Sequence, residues 1–207
     1  LLTELMTETL SDWRSRALRM REELSVYQVH WEGGLAGSLG EAVAHLDEVD
    51  VDLERISPNI RYRRRFRQSE LPEALQILTH ARASMTSGRE LVVKLEEEHN
   101  RLTALRAQFE EALQTLQKQT LPALVRLRGS MMEELGRRLT RFEEKASQEI
   151  ALYSQPAQVN YDYAIKEWLP AITREAEAIQ AEHERTVREY RDSVNDAVRR
   201  IDRAWAR

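Results

Sequence analysis

Cysteine is absent from the 207 residues, so the chain has no disulfide frame and no thiolate to act as nucleophile or metal ligand. Punctuation is sparse, with 7 glycines and 5 prolines. An average chain carries about twice that share, and folds made of short strands need turns far more often than this. All-β architectures are therefore excluded. Doubly wound and barrel α/β folds fail for the same reason, because the periodicity leaves no room for regularly spaced strands. No apolar run reaches the roughly 18 residues that a membrane-crossing helix requires. No signal-peptide pattern opens the chain. The first residue is Leu1 rather than Met. The sequence is therefore read as a piece of a longer protein, with room outside it for an anchor or a further domain. The missing cysteines fit a reducing compartment, so the expected location is cytoplasmic. A net charge of −4 argues against a general nucleic-acid coat. The 27 arginines against 4 lysines carry no mechanistic weight.

What is present is helical periodicity. Leu10, Trp13, Ala17, Met20, Leu24, Tyr27 and Trp31 alternate steps of three and four and so share one helix face. Four of the seven glycines fall between Gly33 and Gly40, which predicts a loop there. Ser38 and Glu41 have capping-box spacing and predict the start of a second helix. Its stripe is Leu39, Ala42, Leu46, Val49, Leu53 and Ile56, and Ser57-Pro58-Asn59 is expected to stop it. A third segment opens near Ser69 and Pro72 and is expected to run on through Ser87-Gly88-Arg89-Glu90. Pro122 predicts a junction with Thr120 as N-cap. Leu124, Leu127, Met131, Leu135, Leu139, Phe142, Ala146, Ile150 and Tyr153 then form one stripe, ended by Ser154-Gln155-Pro156. The last helix carries Ile165, Trp168, Ile172, Ala176, Ile179, His183, Val187, Tyr190, Val194, Ala197, Ile201 and Trp205, with Pro170 predicting a kink or a late start.

Two finer patterns lie on this frame. Leu95, Leu102, Phe109 and Leu116 are spaced by sevens, with Leu91, Leu105 and Ala112 between them, a heptad seam that fits a partner within the chain or in a second copy. Leu-Pro pairs recur at 71–72, 121–122 and 169–170, which hints at a repeated helical hairpin.

Among chemical motifs, Arg61-Tyr62-Arg63-Arg64-Arg65-Phe66-Arg67 is the sharpest, with five arginines in seven residues. Guanidinium forks grip phosphate, and the interleaved rings can stack on bases or enter a lipid interface. The favoured reading is pairing with carboxylates. Residues 41–54 carry Glu41, Asp47, Glu48, Asp50, Asp52 and Glu54 and no Lys or Arg. Glu96 and His99 have the Glu-x-x-His spacing of di-metal bundles, but no second such motif accompanies them, so no metal and no cofactor is expected. The Gly33–Gly40 stretch lacks the lysine and hydroxyl of a P-loop. His183, on the last stripe, reads as a satisfied core histidine. No local Ser/His/Asp pattern suggests a nucleophile.

These observations predict an all-α fold: an elongated antiparallel helical bundle or coiled coil of about four to five helices, two of them long. Residues 1–207 are expected to form one unit, with sub-boundaries at the 32–37 loop, the 57–69 basic loop and the 154–158 turn. The expected role is a non-enzymatic scaffold that joins protein partners, or two copies of itself in a homodimer, without a small-molecule substrate. A membrane-surface or nucleic-acid module using Arg61–Arg67 is the second reading. A ligand-sensing bundle from a membrane receptor is the third.

Overall fold

The computed structural model describes residues 2–61 and 70–205, with side chains from Met6 to Ile56 and from Glu70 to Trp205. The described residues form helices and short connections, with no strand among them. The main helices are α1 (Leu2–Ser25), α2 (Ala36–Arg61), α3 (Leu71–Thr115), α4 (Leu121–Leu127), α5 (Glu133–Tyr153) and α6 (Leu169–Trp205). The all-α expectation therefore holds, as do the two long helices, α3 with 45 residues and α6 with 37. The chain divides into two compact units. The first comprises Leu1–Ala104 with Pro156–Asn160, and the second Leu105–Gln155 with Tyr161–Arg207.

The first unit is a three-helix bundle. Arg14 on α1 reaches Asp47 and Asp50 on α2, which sets those helices antiparallel. His80 on α3 meets Asp52 on α2, and Ser84 meets Glu48, so α2 and α3 are also antiparallel. Arg16 with Glu96, and Tyr27 with Thr103, align α1 parallel to α3. The stripes of α1 and α2 fill the interior as read, and on α3 Val92 is enclosed in place of the half-buried Leu91. Ala17, Leu24, Ala42, Leu46, Val49, Val92 and Leu102 are fully enclosed. Burying each large aliphatic side chain contributes about 1.5–3 kcal/mol.

Gly88 explains why α3 runs unbroken where Ser87 and Glu90 could have restarted it. A Cβ there would lie 3.0 Å from Leu46 Cδ2, 3.1 Å from its Cγ and 3.4 Å from the Ala42 carbonyl. The glycine is the place where α2 comes close to α3, not a break.

Connections differ from expectation in ways that have physical causes. α1 ends at Ser25, before Tyr27 and Trp31 of its stripe; a single turn at Gln28–His30 and a wide turn at Trp31–Leu35 follow. The chain bends at Gly34, whose φ of 158° with ψ of −26° suits a residue without a side chain. Gly37 and Gly40, expected in the loop, lie inside α2. Ser38 does not cap. It stands in the first turn of α2, and its hydroxyl donates back to the Gly34 carbonyl at 3.4 Å. α2 also passes Ser57-Pro58-Asn59 and ends at Arg61. Pro58 removes one donor, the one that would reach the Glu54 carbonyl, and Glu54 is exposed, so water can take that place.

The second unit is again three helices long in order. The end of α3 leads through a wide turn at Leu116–Thr120 into α4, α5 returns, and α6 closes the bundle. Arg138 with Glu182 at 2.8 Å and Lys145 with Glu175 at 3.5 Å set α5 and α6 antiparallel. The hub is aromatic. The Phe109 ring lies 5.8 Å from Tyr153, 5.9 Å from Tyr161 and 6.1 Å from Trp168. The Trp168 indole donates to Glu149 at 2.7 Å. Burial in this cluster pushes the Tyr153 phenol up.

Pro122 and Pro170 do not mark junctions. Each is preceded by a five-residue wide turn, Leu116–Thr120 and Ala164–Trp168, in which the N–H of the residue before proline reaches back five positions, Leu121 to Leu116 and Leu169 to Ala164. The widening takes the ring past the preceding carbonyl without breaking the helix. Thr120 is accordingly helical and makes no cap bond. The true break is at Arg128–Met132, where Met131 and Met132 turn extended, so the stripe from Leu124 to Tyr153 belongs to two helices. Leu71-Pro72 opens α3, whereas Leu121-Pro122 and Leu169-Pro170 follow wide turns inside continuing helices, so the three pairs do not mark a common element.

Two glycines test this account. Gly88→Val should cost about 1–3 kcal/mol by overpacking Leu46. Gly40→Ala, in α2 with nothing within 4 Å of the added carbon, should stabilise by about 0.5–1 kcal/mol. Urea melts of both variants check the opposite signs.

Candidate functional site

The Arg61–Arg67 patch lies outside the described residues except for the backbone of Arg61, the last residue of α2. The acidic run before it is described, and most of it is engaged elsewhere. Asp47 and Asp50 hold Arg14, Glu48 accepts from Ser84 at 2.9 Å, and Asp52, nearly enclosed, meets His80 at 2.6 Å. These carboxylates join α2 to α1 and α3. Glu41 and Glu54 are exposed.

The heptad positions are interior. Leu95 and Leu102 are buried in the first unit, and Phe109 and Leu116 in the second, while Leu91 and Leu105 are half-buried. Their spacing is spent on covering neighbours within the chain. Glu96 is held by Arg16, bidentate at 2.8 and 2.5 Å, and His99 packs edge-on to Tyr27 with Glu23 3.6 Å from its Nε2. The Glu-x-x-His spacing therefore serves interhelical pairing rather than a solvated face. No cluster of three potential ligands occurs among the described residues. His183 is buried in α6, with Ser130 Oγ 3.3 Å from its Nε2.

One polar constellation emerges that the sequence hid, because its members are 28 and 36 positions apart: Asp52–His80 and Glu48–Ser84. Its connectivity decides its chemistry. Ser84 donates to Glu48 and His80 pairs with Asp52, so the serine–histidine bond of a nucleophilic triad is not made. The bond to Asp52 and that carboxylate's charge hold the His80 imidazole above its ordinary range. The Ser84 bond, then the His45 bond, hold Glu48 below the ordinary carboxylate range. The arrangement acts as a polar clasp between α2 and α3.

A run of exposed apolar residues lies on α6. Its apolar residues are buried through His183 and then emerge: Val187, Tyr190, Val194, Val198, Ile201 and Trp205 are all exposed, Trp205 by 88%. The cause is a mismatch of helix lengths. Lys145–Glu175 and Arg138–Glu182 fix the α5–α6 register, and carrying it on sets Glu133, where α5 starts, opposite Val187. Beyond that point no described helix of the unit runs beside α6. The spacing alone reads this stretch as more of the same stripe.

Compared with models of protein families, with curated proteins and with solved structures, the chain matches none.

The clasp has a defined pH response. A raised His80 pKa contributes stability fully present below the unfolded value of about 6.5, and lost as pH rises through the higher folded value. The lowered Glu48 pKa contributes stability present above about 4.5 and lost as pH falls through its folded value. The melting-temperature gap between wild type and His80→Gln should therefore be widest between about pH 5 and 6 and shrink as pH rises through the raised folded value. Thermal melts at half-unit pH steps check it.

Proposed function

We propose that this chain is a non-enzymatic assembly module that presents the exposed half of α6 to a partner helix. The observation that carries the reading is the apolar stripe from Val187 to Trp205, uncovered by the helices of its own unit. Exposed tyrosine and tryptophan beside arginine is a typical composition of protein interfaces. The stripe is a single narrow face with charged residues on the rest of the helix, the form that packs against one or two other helices. The two bundles supply rigidity, and the overhang supplies the contact.

The reading is tested with a photo-crosslinking residue at position 194 in the native source. Protein adducts are expected, and the pair Val194→Asp, Ile201→Asp should abolish binding while leaving the melting temperature within about 1–2 °C, since both side chains are already exposed. Adducts to lipid or nucleic acid in place of protein would reject it. Lysine-directed reagents are of no use on this face, because all four lysines precede it.

A further inference from the structure

The exposed stripe has a period that the buried one shares. From Ile172 the apolar positions are Ile172, Ala176, Ile179, His183, Val187, Tyr190, Val194, Val198, Ile201 and Trp205, so that Ala176, Val187 and Val198, like Ile179, Tyr190 and Ile201, are eleven apart. An eleven-residue repeat has about 3.67 residues per turn, a period that stays on one seam when packed helices wind slightly right-handed about each other. The surface beyond Val187 therefore continues the seam that α5 covers up to His183.

Resting on the assembly reading above, we propose that the occupant of this surface is the same helix of a second copy, running antiparallel about a two-fold axis near Asp196. Two arguments select it. First, the antiparallel register faces Val187 with Trp205 of the second copy, Tyr190 with Ile201, and Val194 with Val198. Each layer then pairs residues of compatible bulk, two of them a ring against a branched aliphatic chain. A parallel pair would stack Tyr190 on Tyr190 and Trp205 on Trp205, crowding two layers and leaving the valine layers thin. Second, the flanks complement each other. Arg191 stands beside Asp202 of the second copy, and the two-fold makes the pair twice; Arg200 stands beside Ser193 rather than beside another cation. The contact is isologous and closes on itself, giving a dimer rather than a filament. About 19 residues of helix, roughly 28 Å, meet on each side. That is smaller than a standard interface, so the dimer is expected to be weak and concentration-dependent.

The test uses the whole chain in sedimentation equilibrium from micromolar to several hundred micromolar concentration. Wild type should pass from monomer to dimer. Arg191→Asp should raise the dissociation constant about tenfold or more, through two like-charge contacts. The charge-swapped Arg191→Asp, Asp202→Arg chain should recover most of it. Ile201→Asp should be monomeric with an unchanged melting temperature. Orientation is read in the cysteine-free background. A mixture of Val194→Cys and Val198→Cys chains should oxidise to the mixed disulfide, and Val187→Cys alone should not link to itself. A monomer throughout the range overturns the self-pairing, whereas the crosslinking at position 194 separately decides whether the stripe binds protein at all. Self-linking of Val187→Cys, or no recovery by the charge swap, overturns the antiparallel register. Binding of anionic vesicles by a monomer, lost in Ile201→Asp, overturns both the dimer and the assembly reading.

Discussion

An amphipathic helix is held in water only as far as a neighbour covers its apolar stripe. In the first unit the three helices cover one another along their lengths. The stripes from Leu10 to Leu24, from Leu39 to Ile56 and from Ala81 to Leu102 interlock, while Leu18, Val51 and Val93 stay exposed. In the second unit α6 outlasts its neighbours, because α5 begins at Glu133. Everything distinctive about the chain follows from that inequality. The helix continues for about five turns beyond its cover, supported by its own backbone bonds and by pairs such as Arg199 with Asp196. Such pairs contribute only about 0.3–0.5 kcal/mol each, too little to make an isolated stripe of valine, isoleucine and tryptophan a comfortable final state.

Charge plays a different part from apolar burial. Stripes alone allow helices to slide by a turn, since a period of three and four repeats. The polar contacts remove that freedom: Arg16 on Glu96, Asp52 on His80, Arg138 on Glu182, and the indole of Trp168 on Glu149. All but the exposed Arg138–Glu182 pair lie at the margin of the core, partly shielded from water, where a misplaced partner would leave a charge desolvated. The acidic helix α2 shows the principle well. Its carboxylates look from the sequence like a counter-surface for the Arg61–Arg67 cluster, yet Asp47, Glu48, Asp50 and Asp52 serve as the register pins of the first bundle.

The fold was largely legible because helix periodicity is a local property. The stripes of α1, α2, α5 and the first part of α6 are buried as their spacing implies, and sparse glycine and proline sufficed to exclude strands. Breaks were less legible, because a proline states only which donor is missing, not how the helix responds. At Pro122 and Pro170 it responds by widening one turn, while the interruption at Arg128–Met132 carries only Gly129 and Ser130 as a signal. Gly88 illustrates the converse: a residue that reads as a breaker is a point of close approach, which depends on Leu46, forty-two positions away in the chain.

The interaction surface was illegible for a deeper reason. The repeat that buries Ile172, Ala176, Ile179 and His183 is the same repeat that exposes Val187, Tyr190, Val194, Val198, Ile201 and Trp205. Interior and surface are written in one code, and nothing in the spacing changes between them. What separates them is the length of the helix on the other side of the turn, a non-local quantity set by where Met131 and Met132 leave the helical conformation. A stripe whose code continues past its cover is built to the same geometric standard as a core, with regular layers at the spacing of packed helices. A lipid surface would be served by any amphipathic face and places no demand on layer matching, whereas a second helix does. The exact continuation of the repeat through Trp205 is thus itself an argument that the missing cover is another helix.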